Sequence, residues 1–171
     1  MQKLAVVLIA VALLAYAPAA MAQGTASGDI LAQANVMTPI QVAAEQDLLF
    51  GNVIPGSNKS IAVDNPSAGR WLVQGTAGAE VDLDFTTLPV ALTSGANSMP
   101  IVYGATDAGH HTSNDPFSAV LFDPAVSALA NIGSPAATLY VWVGGTVQPV
   151  LAQAAGLYTG TITLTATYTG N

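Results

Sequence analysis

The chain has 171 residues, of which 51 % are hydrophobic and 8 % charged, with three cations against ten carboxylates and a formal charge of −7. That balance excludes nucleic acid or anionic lipid as a charge-held partner, and the apolar content excludes disorder. The absence of cysteine excludes a disulfide framework, so stability has to come from packing or from assembly.

In chain order, Lys3 precedes an aliphatic run from Leu4 to Ala17, Pro18 breaks it, and Ala20-Met21-Ala22 is a small-x-small cleavage site. This order of parts predicts a signal peptide over residues 1–22, removed on export. The run is shorter than the roughly 20 residues of a membrane span. The mature chain is therefore expected in the periplasm in transit, then at the cell surface or outside, with no membrane insertion. It keeps only Lys59 and Arg70 against the ten carboxylates, a formal charge of −8. One domain of this size buries a single core. An exported surface so poor in charge favours self-association.

Residues 23–34 form a small, polar arm whose large apolar residues are Ile30 and Leu31. Alternate positions from Ile30, namely Ala32, Ala34 and Val36, would share one face of an extended arm. Residues 35–171 read as a run of short strands. Val36 to Val42 alternates, with Pro39 demoting it to an edge or bulged strand. Leu48 to Ile54 ends at Pro55-Gly56, Ser60 to Val63 at Asp64-Asn65-Pro66, and Trp71 to Gln74 at Gly75. Glu80 to Phe85 alternates acids with apolar residues, and Met99 to Tyr103 and Phe117 to Phe122 are shorter runs. Between the last two, Gly104 to Asp115 is expected to be a mobile loop. Pro124 to Ile132 is the only candidate for a helical turn. Leu139 to Val143 meets Gly144-Gly145, a two-residue turn signal ahead of Thr146-Val147.

The closing stretch is the most regular. Every odd position from Thr159 to Thr169 is threonine, and Gly160, Ile162, Leu164, Ala166 and Tyr168 lie between them. Period two over this length predicts a strand with one wet and one buried face. About nine short strands with frequent turns predict an all-β, immunoglobulin-like two-sheet sandwich.

Two patches carry a family resemblance. The stretch Asp47-Leu48-Leu49-Phe50-Gly51-Asn52-Val53-Ile54-Pro55-Gly56 resembles the opening of an uncharacterised family of small secreted bacterial β-proteins. Val143-Gly144-Gly145-Thr146 and Gly156-Leu157-Tyr158-Thr159-Gly160-Thr161 through Tyr168 resemble its closing patch. That family is in turn similar to spore-coat-U-like and chaperone–usher pilin subunits. The pilin resemblance implies a sandwich lacking its last strand, with a groove beside the C-terminal strand filled by the arm of the next subunit. Ile30, Leu31, Ala32, Ala34 and Val36 would then be donor residues, and Ile162, Leu164, Ala166 and Tyr168 the acceptor edge strand. The chain departs from better-known pilins in having no disulfide and an arm poor in large apolar residues.

Other chemistries have weaker support. His110 and His111 are the only histidines, and no Gly-x-Ser-x-Gly or cysteine nucleophile accompanies them, so a hydrolase is disfavoured. Asp107, His110, His111 and Asp115 fit no metal-ligand spacing, and a solvated loop explains them better. Glu80, Asp82 and Asp84 place carboxylates roughly 6.5–7 Å apart, which suits a glycosidase pair or a calcium ion but also the wet face of a half-buried strand. Trp71, Tyr140 and Trp142 suit a sugar-stacking platform or a core. Short strands without an aromatic girdle argue against an outer-membrane barrel. We therefore expect no catalytic, cofactor or metal site. The expected function is a non-enzymatic structural subunit of a surface fibre, with copies of itself or related subunits, a periplasmic chaperone and an outer-membrane usher as partners. The alternative is a monomeric secreted module that binds carbohydrate or a surface.

Overall fold

The computed structural model describes residues 24–170, and the expected signal peptide lies outside the described residues. The described chain falls into two units. The described part of the first, residues 24–35, contains no strand or helix. The second, from Val36 onward, is all-β, and its only helical element among the described residues is a 3₁₀ turn at Pro116–Ser118.

Twelve strands follow in order: β1 (Gln41–Gln46), β2 (Lys59–Ile61), β3 (Gly69–Gln74), β4 (Glu80–Thr87), β5 (Ala91–Ser94) and β6 (Asn97–Val102), then β7 (Ala108–His111), β8 (Val120–Phe122), β9 (Ala128–Asn131), β10 (Thr138–Val143), β11 (Gly145–Val147) and β12 (Thr163–Tyr168). They form three antiparallel sheets, ordered β1-β3-β10-β7-β8, β2-β11-β6-β5 and β12-β4-β9. The architecture is a β-sandwich, built from three hydrogen-bonded sheets where the sequence suggested two.

The alternation in β4 explains its place. Val81 and Leu83 are fully buried and Phe85 nearly so, while Asp84 is exposed. Burying Leu83 contributes about 1.5–3 kcal/mol. These side chains meet Trp71 and Val73 of β3 and Leu139, Val141 and Val143 of β10, so the first and third sheets enclose one core. The second sheet closes a smaller core of Phe50, Ile61, Met99, Ile101 and Val147. Tyr103 packs against both cores, and burial pushes its phenol up to about 12.

Several sequence expectations are corrected. Gly144-Gly145 is not a hairpin turn, because β10 and β11 do not pair. The chain runs on through Gly144 from the first sheet into the second, where β11 pairs with β2 and β6. Gly144 lies so close to the Ile61 carbonyl that a Cβ would collide with it, and its N–H is held by the Asp107 carbonyl at 2.7 Å. The expected loop from Gly104 to Asp115 contains β7, which sits between β10 and β8. The expected helical turn in Pro124 to Ile132 is instead strand β9, paired with β4. Leu48 to Ile54 forms no strand, although Phe50 is buried. The first strand starts at Gln41 rather than Val36, and the last at Thr163 rather than Thr159. Thr159 instead makes an isolated bridge to Thr93 of β5.

Candidate functional site

The site is built from two sheet edges. In β1, Val42 lies opposite Val73 and Ala44 opposite Trp71. Residues directly opposite in an antiparallel pair share a face, so Val42 and Ala44 point inward like their partners. Val73 and Trp71 are buried, yet Val42 is 38 % exposed and Ala44 is also exposed. The interior face of the sandwich is therefore uncovered along β1. Among the described residues β1 pairs with β3 alone.

The second edge is β12, which pairs with β4 alone among the described residues. Thr163, Thr165 and Thr167 face solvent. Ile162, Leu164, Ala166 and Tyr168 pack against the larger core, Leu164 fully and the others in part. The Thr169 N–H donates to the Glu80 carbonyl at 3.3 Å. Ladder alternation then turns the N–H and C=O groups of Leu164, Ala166 and Tyr168 away from β4. The edge thus offers backbone donors and acceptors with apolar side chains beneath.

Between these edges lies an open groove of about 1010 Å³. Ala44 lines it from β1 and Ile162 from just before β12, with Trp71, Leu92, Met99 and Ile101 among the deeper lining. Among the described residues Asp47 is the one charged side chain lining it. Its volume is at the top of the range for small-molecule pockets, roughly 300–1,000 Å³. At one end the edges are tied together. The Tyr168 hydroxyl donates to the Thr38 carbonyl at 2.7 Å and accepts the Thr76 N–H at 2.6 Å, while Thr38 N–H donates to Thr76 Oγ1 at 2.8 Å. Gly75 makes room for this latch, because a Cβ there would collide with Tyr168 Oη.

The other candidates are placed as follows. In the arm, Ile30 and Leu31 are 95 % and 81 % exposed, and Ala32 and Ala34 are exposed. Val36, in the second unit, is also exposed. Asp107 accepts the Gly104 N–H, His111 Nδ1 lies 2.8 Å from Ser113 Oγ, and Asp115 accepts from Phe117 N and Ser118 Oγ. Each makes a local turn contact of its own. The bonds from Ser118 and Phe117 hold the Asp115 carboxyl below its ordinary value. His110 packs on Phe122, and desolvation followed by the charge of His111 lowers its pKa. Glu80 accepts from Thr169 Oγ1 at 2.8 Å on the outer face of β4. Among the described residues no three His, Asp or Glu groups gather to hold a metal. Trp71 and Trp142 are both buried, and Tyr140 stacks on Trp142 at 6.0 Å, so the proposed sugar platform is mostly covered.

Sequence reasoning missed the groove's lining: Leu92, Met99, Ile101 and the segment around Leu157. The available signal was the uncharged apolar run from Leu48 to Ile54, too rich in large residues for an ordinary loop.

No curated protein and no solved structure matches the chain. One family model does, over residues 40–168, which span β1 to the last residue of β12. On that match the chain belongs to the family described as Domain of unknown function (DUF4402).

Proposed function

We propose that the protein is a structural subunit of a cell-surface fibre, assembled by donation of a strand from one copy to the groove of the next. The observation that carries this reading is the uncovered interior face at Val42 and Ala44, opposite the open edge of β12. A free edge above an apolar groove pairs with an extended segment. The arm supplies such a segment, with Ile30 and Val36 exposed and at alternate positions. A strand of about seven residues would add several ladder bonds at roughly 0.5–1.5 kcal/mol each. Burying Ile30 and Val36 would add about 1.5–3 kcal/mol apiece. On this reading export leads through the periplasm, where a chaperone shields the groove until an usher exchanges it for the next arm.

Deleting Gly24–Gln33 should give a protein that exports but stays monomeric. Appending the same segment after Asn171 through a flexible linker should give a monomer with raised thermal stability. Normal assembly of the deletion variant, or no gain from the appended arm, would overturn the mechanism.

A further inference from the structure

Beside the groove, on two loops that also reach the smaller core through Phe50 and Tyr158, lies a concentration of exposed aliphatic side chains. Leu49 and Leu157 line the groove and are 58 % and 81 % exposed. Ile54, Val150 and Leu151 are exposed on the adjoining loops. The loops are held together, since Gly56 N–H donates to the carbonyls of Pro149 and Val150 and Leu151 lies directly over Gly56. Leu48 to Ser57 and Pro149 to Tyr158 contain no charged residue. Exposed apolar patches without charge mark interaction surfaces, because burying them costs no ion desolvation.

We infer that this aliphatic collar is the surface on which the body of a second copy of the chain seats when its arm lies in the groove. The inference rests on the strand-donation reading and adds a second contact to it. Only Met37 to Ile40 separate Val36 from β1, a span of at most about 14 Å. A donor with Val36 in the groove must therefore press its own sandwich against one end of the acceptor. At the latched end the turn from Thr76 to Gly78 offers small and polar residues, whereas the collar offers five large aliphatic ones. The contact joins different surfaces of the two copies, so it propagates head to tail.

The experiment uses the full mature chain and the doubly substituted Ile54→Glu/Leu151→Glu protein, each with and without a synthetic peptide of residues 24–36. Both side chains are more than 70 % exposed and neither lines the groove, so unfolding temperatures should match. The peptide should cap both proteins as one-to-one complexes in native mass spectra. Without peptide the variant should assemble at least tenfold more slowly. Capping with assembly at the parent's rate would overturn the collar while leaving strand donation standing. Loss of capping in the variant alone would place these residues in the arm's own site and overturn the body contact. Failure of the peptide to cap either protein would remove strand donation and the collar with it.

Discussion

Tyr168, the last residue of β12, donates its hydroxyl proton to the carbonyl of Thr38, three residues ahead of β1, at 2.7 Å. The same oxygen accepts from Thr76 N–H, so one phenol ties the end of β12 to the segment ahead of β1 and to the turn after β3. Tyr168→Phe keeps the ring packed but leaves a carbonyl and an N–H without this partner. We expect a loss of about 1–3 kcal/mol in urea unfolding. Gly75→Ala should cost at least as much by displacing the hydroxyl. Parent-like stability of both variants would mean that the latch does not hold the edges.

The inner face of β4 offers a sharper contrast. Leu83 has no solvent exposure, so Leu83→Asp should abolish folding, an unpaired buried carboxylate costing several kcal/mol or more. Asp84 is exposed on the outer face opposite Thr165. Asp84→Asn should stay within about 0.5 kcal/mol of the parent. Soluble yield and thermal melting of the two proteins decide it, and equal effects would contradict the half-buried strand.

Filling the groove from β1 should separate folding from assembly. Ala44 is exposed and points into the groove, so Ala44→Phe has room in the free subunit and competes with any incoming strand. We expect a normal melting temperature and an accumulation of monomer on mild detergent gels. Undiminished ladders would show that nothing docks beside Ala44.

His110 provides a pH handle on the core. Desolvation, with the charge of His111 added, favours its neutral ring in the folded protein below the usual imidazole value of 6.5. As pH falls through that value the unfolded chain binds the proton first, so stability declines with falling pH. His110→Gln should therefore lessen the loss of stability between about pH 7.5 and 5.5 relative to the parent. An unchanged pH slope would assign that loss to other groups.

Where period two was strong, the residues determined the elements alone. The acids and aliphatics of β4 and the threonines of β12 each set which face is wet, because successive side chains of a strand must point to opposite sides. Where the pattern was weak, the neighbours decided. Ala108-Gly109-His110-His111 carries no strand signal, yet β10 and β8 on either side supply the hydrogen bonds and make it β7. Conversely, Leu48 to Ile54 looks like a strand but pairs with no strand among the described residues, Leu49 N–H bonding only the Ser67 carbonyl of a loop, and strand propensity without a ladder partner does not make a strand. Gly144-Gly145 has the composition of a turn, but the close approach of the Ile61 carbonyl explains why glycine stands there. The groove itself was out of reach of the sequence. Val42 and Ala44 are ordinary strand residues until the register with Val73 and Trp71 turns them inward, and only the packing of the sheets leaves that inner face uncovered.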